Sequence, residues 1–172
     1  MGQIGLFLLL AAVTGITVSM LFVGLAAFFG AYLGGVERAA GERPGRAFLL
    51  GLINAAFLFA VGFLLVTWAQ ASGAPLLGAL GVVVWLVLIV GVIFGLGGMV
   101  QLARARLYPK ADGWRPTAVA GGILFLACLT PYVGWFGFLP YLVLYGLGGV
   151  IMHSLDAFRG RRKASAEAAH TG

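Results

Sequence analysis

Three long stretches of this sequence, residues 4–36, 47–103 and 117–155, contain no Asp, Glu, Lys or Arg. Each is longer than the roughly 20 apolar residues that cross a bilayer once as a helix. Only 9% of the chain is charged and the mean hydropathy is +1.06, whereas about a quarter of an ordinary soluble domain is charged. The sequence therefore predicts an all-α, polytopic transmembrane protein.

All eleven basic residues lie in three clusters that border these stretches, and such clusters mark the cytoplasmic side of a membrane protein. We therefore expect a multi-pass protein of a bacterial inner membrane with a cytoplasmic C-terminus. Although the net charge is +6, we expect these basic residues to interact with membrane lipids. We expect no nucleic acid as a partner. The predicted topology determinants are Arg38, Arg43 and Arg46, then Arg104, Arg106, Lys110 and Arg115, then Arg159, Arg161, Arg162 and Lys163.

The last apolar stretch is too long to be a single span. As one helix, residues 117–155 would measure about 60 Å, twice the ~30 Å hydrocarbon core. A single pass would also place the second and third basic clusters on opposite sides. Because Pro131 and Pro140 interrupt this stretch, we predict a hairpin whose first arm is short or re-entrant.

Five membrane segments result, one N-terminal helix followed by two helical hairpins. The middle stretch is divided at residues 70–75, which have the composition of a loop. One domain, residues 1–157, then precedes a basic tail, residues 158–172, that we expect to be disordered. The first segment is long for one span and either tilts or breaks near Thr14 and Gly15. The predicted segments are residues 4–36, 47–69, 76–103, 117–130 and 138–155.

Glycines with helical spacing are the most informative residues inside the segments. Gly30 with Gly34, and Gly91 with Gly95, form GxxxG pairs, and Gly51 lies in a similar pattern of small residues. Small residues four apart share a helix face and let two backbones approach closely. These faces either pack within the chain, which we favour, or bind a protein partner or a second copy. The related segments GAYLGGV (30–36), GLGGM (95–99) and GLGGV (146–150) also suggest a weak internal repeat.

Residues that could perform chemistry are scarce. No predicted segment contains Asp, Glu, Lys or Arg, and we find no nucleophile, base or metal-binding cluster. We therefore expect no enzymatic activity, no cofactor and no metal. His153, three residues before Asp156, is either half of a metal or haem site or, as we favour, a histidine at the membrane border near a helix C-terminus. Asn54, the deepest polar residue, is expected to bond to another helix.

Short motifs in both hairpins resemble one group of bacterial proteins. They are RPGRAFLLGL (43–52), RP (115–116), GG (121–122), P-x-x-GW (131–135) and GLGG (146–149). They resemble the hydrophobic hairpin of poorly characterised membrane proteins, some of which carry a bactofilin-like, polymer-forming domain. The resemblance covers roughly residues 37–155 and implies a membrane anchor or assembly module. These 172 residues contain no counterpart of the polymer-forming domain.

Three classes of function remain open. The first is a structural, anchoring or accessory subunit of a larger membrane assembly, supported by the glycine faces and by the lack of buried charge. The second is a transporter or channel for a small solute or lipid, for which broken helices are typical but a polar pore lining is missing. The third is a lipid-modifying enzyme, for which no catalytic group is found.

The topology makes the first testable prediction. Single cysteines at Ala40, Ala111 and Ala164, in a Cys128→Ser background, should all react with an impermeant thiol reagent from the cytoplasmic side of oriented vesicles. Labelling of Ala111 and Ala164 from opposite sides would exclude the C-terminal hairpin.

Overall fold

The computed structural model describes residues 2–111, 113–130 and 132–170, and its regular elements there are all helices. They are α1 (Gly2–Glu42), α2 (Pro44–Ser72), α3 (Pro75–Leu107), α4 (Trp114–Leu129), a π-helix (Val133–Phe138) and α5 (Leu139–His170). Four helical segments in this part of the chain are long and apolar enough to cross a membrane, and α4 is a shorter apolar helix. The all-α polytopic fold is therefore confirmed.

The first hairpin is defined by residues with special backbone preferences. Pro44 and Pro75 open α2 and α3 within the first turn, where a missing N–H costs no hydrogen bond. Gly73 ends α2 with a φ of 65°, a left-handed conformation that glycine adopts without a steric penalty. Arg43 alone separates α1 from α2. The basic loop expected after residue 36 is thus mostly helix, because its Glu, Arg and Ala residues are good helix formers.

Helix α1 is interrupted at a different residue from the one that the sequence suggested. Thr14 and Gly15 lie in continuous helix, whereas Phe29 has the non-helical angles φ −121° and ψ 25°. The rings of Phe29 and Tyr32 both pack edge-on against Phe94 of α3, at centroid distances of 5.1 and 5.5 Å. These tertiary contacts accompany the kink, and no pattern within α1 itself reveals them.

The three related glycine segments meet at one place, which we call the glycine crossing. A methyl group added at Gly95 of α3 would lie 2.5 Å from the carbonyl carbon of Gly146 of α5, so the two backbones are in direct contact. Val36 of α1 is fully buried and packs against both Gly98 and Gly149. Helices α1, α3 and α5 therefore cross where their glycines remove the side chains.

Helix α2 joins the same crossing through its backbone. The side-chain position of Gly51 points at the carbonyl oxygen of Leu144, and that of Gly148 points at the carbonyl oxygen of Ala47. In glycine this position holds a Cα hydrogen, so both contacts are weak Cα–H···O hydrogen bonds of the kind found where helices pack closely. Helix α5 thereby contacts α1, α2 and α3 at once.

Tyr145 of α5 ties the end of α1 to the crossing. Its hydroxyl donates a hydrogen bond of 3.0 Å to the carbonyl oxygen of Ala40, one of the terminal carbonyls of α1 that lack a partner within the helix. Its ring stacks on that of Tyr141, which stacks on Phe48 of α2. Because Ala40 is fully buried here, the exposed Gly45 is a better cysteine position for the topology experiment.

The C-terminal hairpin differs from a simple pair of packed arms. The chain breaks after α4, where Tyr132 has a φ of 64°, close to the predicted position. In the described residues, however, α4 packs mainly against α1 and α3, while α5 packs against α1, α2 and α3, and the two arms have almost no mutual contact. Helix α5 also continues to His170, through the tail that we expected to be disordered. The tail contains several Ala, Arg and Lys residues, which favour helix.

The crossing predicts opposite effects for two Gly→Ala substitutions. Gly148→Ala should destabilise the protein in detergent by about 1–3 kcal/mol, because the new methyl group overlaps the backbone of Ala47. Gly24→Ala should be neutral or slightly stabilising, because no atom lies within 4 Å of the new group and alanine favours helix. Thermal unfolding of both variants tests this, and equal stabilities would contradict it.

Candidate functional site

The second GxxxG pair and Gly51 pack inside the protein. A methyl group at Gly91 would lie 2.8 Å from the Leu147 side chain, and Gly95 contacts Gly146 directly. Gly51 lies against Leu144. These three glycines therefore form contacts within the chain and leave no free face for another protein.

The first GxxxG pair is different. No atom lies within 4 Å of a methyl group built at Gly30 or Gly34, and the same holds for Gly24 two turns earlier. Ala27 and Ala31, which lie between these glycines on α1, are exposed. Together Gly24, Ala27, Gly30, Ala31 and Gly34 form an open surface of small residues, which we call the α1 face.

Among the residues that the structure describes, Asn54 makes no hydrogen bond to another helix. Its side-chain amide donates a hydrogen bond of 2.8 Å to the carbonyl oxygen of Leu50, one turn earlier in α2. The expected interhelical bond is therefore wrong. Asparagine is short enough to satisfy its amide on its own helix, and that option was not considered from the sequence.

The structure brings residues of all three basic clusters near one another. A small cleft of about 60 Å³ between α2 and α5 is lined by Arg43, Arg46 and Arg159 together with Asp156. Glu37, beside Arg38, interacts electrostatically with Arg104 of the second cluster. The side chains of Arg161, Arg162 and Lys163 lie outside the described part of the chain. The membrane side that these clusters face stays a prediction.

The imidazole of His153 occupies the space beside Gly35 of α1, where glycine has no side chain. The ring packs edge-on against Tyr32, with centroids 5.0 Å apart. Because α5 continues well beyond it, His153 is not near a helix C-terminus as expected. Among the described residues, no group of three or more His, Cys, Asp or Glu side chains could hold a metal ion.

A pocket with one polar and one apolar wall opens where α1, α3 and the start of α4 meet. Its volume is about 380 Å³, within the range of ~300–1,000 Å³ usual for ligand sites. Small residues of α1 form one wall, and Trp114 at the start of α4 is exposed beside it. We call it the α1–α4 pocket, and its lining residues are Val23, Ala26, Ala27, Gly30, Gln101, Arg104, Gly113, Trp114 and Thr117.

Gln101 is the distinctive residue of this pocket. Only 8% of its surface is exposed, and no hydrogen bond of its side-chain amide is found in the part of the chain that the structure describes. Thr117, 4% exposed, instead donates to the carbonyl oxygen of Gly113 at 3.3 Å. No role was predicted for Gln101 from the sequence. The available signal was its position one turn before Arg104 on the same helix face.

An apolar groove lies on the other side of the point where α1 crosses α4. At that point Ser19 lies close to Gly121 and Gly122. The groove has a volume of about 540 Å³ and apart from Ser19 its lining is formed by apolar residues and glycines of α1 and α4. The two cavities therefore lie along the same α1–α4 interface, and one of them has a polar wall whereas the other is almost entirely apolar.

Comparison with known proteins gave no match to a family model, to a curated protein or to a solved structure. The resemblance to the hairpin region of bactofilin-like proteins therefore stays a prediction, and function has to be argued from the geometry of the chain itself.

The packing of His153 leads to a prediction about its role. His153→Gln should leave the metal and haem content of the purified protein unchanged and lower its stability by about 1 kcal/mol, because the edge-on contact with Tyr32 is lost. Elemental analysis, absorption spectra and thermal unfolding measure the three quantities. Stoichiometric metal or haem that disappears with this substitution would show that His153 is a ligand.

Proposed function

We propose that this chain is a non-enzymatic accessory subunit of a larger membrane assembly, and that the α1 face binds a transmembrane helix of another protein. The observation that supports this proposal is the contrast between the two GxxxG pairs. Helix α5 occupies the space beside Gly91 and Gly95. Gly30 and Gly34 have the same spacing, but no atom of the described residues lies within 4 Å of a methyl group built on either of them.

The physics of helix association in lipid supports this role for the α1 face. Lipid tails are as apolar as the side chains that they replace, so the hydrophobic effect contributes little to the association of helices. Association depends on close packing and its many dispersion contacts, which small residues permit because they let two backbones approach. A helix that binds along Gly24, Gly30 and Gly34 would gain close backbone contacts of the same kind as those that α5 makes at the glycine crossing.

Transport through the centre of the described structure is less well supported. Large buried side chains close the structure around the glycine crossing. Leu33, Val36 and Val100 are each at most 2% exposed. A transport path would have to open these contacts between backbones. A scaffold, in contrast, works with a rigid crossing, and the resemblance to a membrane anchor is in keeping with this role.

Paired substitutions test the proposal. Gly34→Leu should leave the monomer folded but remove it from its assembly, because the new side chain separates the two helices. Gly95→Leu should instead lower the thermal stability of the monomer, because it collides with Gly146. The measurements are thermal unfolding in mild detergent and the proteins that co-purify from native membranes on blue-native gels.

Gly5→Leu is the matched control, since Gly5 also lies in α1 with no atom within 4 Å but outside the α1 face. It should change neither stability nor association. The accessory role is contradicted if Gly34→Leu retains every partner, if the wild-type chain associates only with itself, or if each loss of association accompanies a loss of folded monomer.

A further inference from the structure

We propose that the α1–α4 pocket binds the phosphate headgroup of an anionic phospholipid, with an acyl chain lying against the apolar surface of α1 and α4. This inference goes beyond the accessory role and does not depend on it, although the pocket shares Ala27 and Gly30 with the α1 face. Three features of the pocket support this: the amide of Gln101, the N-terminus of α4 beside Arg104, and a shape that suits an amphiphile.

The amide of Gln101 is the first feature. A buried polar group that lacks a hydrogen bond is costly, so a native structure normally provides a partner for it. Gln101 is 92% buried as a residue, and its amide, which makes no hydrogen bond to the described residues, is open to the pocket that it lines. A phosphate oxygen at this position would accept from its NH₂ group, and Thr117 and Trp114 line the same space.

The charge around the pocket favours an anion. Arg104 lines the pocket one turn beyond Gln101, and its guanidinium also donates to the carbonyl oxygen of Ala111 at 3.5 Å. Helix α4 begins at the pocket with Gly113 as its N-cap, so the N–H groups of its first turn and the positive end of its dipole lie beside the same space. Arg104 already interacts with Glu37 and has a further interaction, so an anion in the pocket would depend mainly on the helix terminus and the amide.

The shape of the site distinguishes a lipid from a soluble anion. Val23, Ala26 and Ala27 make one wall apolar, and Trp114 is 57% exposed at the start of α4, as are tryptophans at membrane interfaces. The separate apolar groove of about 540 Å³ lies further along α1, beyond the contact of Ser19 with Gly121. An isolated phosphate would use only the polar residues, whereas a phospholipid would also cover the apolar wall and the groove.

Gln101→Met is the central variant, because methionine keeps the length of the side chain and removes the amide. Gln70→Met is its matched control, since Gln70 is exposed at the far end of α2. Each purified full-length protein is titrated with phosphatidylglycerol, phosphatidylcholine or inorganic phosphate, and bound lipid is counted by native mass spectrometry. Wild type should retain phosphatidylglycerol preferentially, Gln101→Met should weaken this retention about tenfold, and Gln70→Met should not change it.

Ala26→Leu keeps the test decisive if Gln101→Met is unstable. The larger side chain fills the pocket from the α1 wall and leaves every polar residue in place, so it should also reduce retention of phosphatidylglycerol. The proposal is overturned if both lipids are retained equally, if inorganic phosphate binds as tightly as phosphatidylglycerol, or if neither Gln101→Met nor Ala26→Leu changes retention.

Discussion

The direct contact between the backbones of Gly95 and Gly146 determines how the other helices can be arranged. At this distance no side chain fits between α3 and α5, so the two helices cross at a fixed point. Val36 then fits between Gly98 and Gly149, and α2 adds its backbone contacts through Gly51 and Gly148. In lipid, where dispersion and weak hydrogen bonds drive helix association, this point is where four helices gain most from packing.

The same constraint explains why other parts of the molecule stay open. Helix α5 packs against α1, α2 and α3 at the crossing, whereas α4 packs against α1 and α3. Helices α1 and α4 touch where Ser19 lies close to Gly121, and the two cavities lie along the α1–α4 interface on either side of this contact. The α1 face lies beyond the glycines that α5 uses and has no partner in the described chain.

Hydropathy and basic clusters were sufficient to predict a helical membrane protein. The composition of residues 70–75 predicted the division of the middle stretch near Gly73, and the length and prolines of the last stretch predicted a break after Thr130. The three glycine segments were also recognised, and they converge in the structure. The kink at Phe29, the separation of α4 from α5 and the partner of Asn54 were not predictable in this way. Each depends on which residue faces which neighbour in three dimensions, and an apolar sequence with glycines on several faces allows many such choices.

Gln101 differs from most of the polar side chains in these helices, although the buried indole N–H of Trp85 also lacks a partner among the described residues. Thr17, Asn54, Thr67, Thr117 and Ser154 each donate to a carbonyl of the preceding turn, so they are satisfied without another helix or a ligand. Gln101 has the longer side chain, lines a cavity beside Arg104, and donates to none of the described residues. An apolar residue of similar size would fill the same position at a lower desolvation cost. The amide is therefore better explained by a polar group that enters the pocket than by the packing of the chain alone.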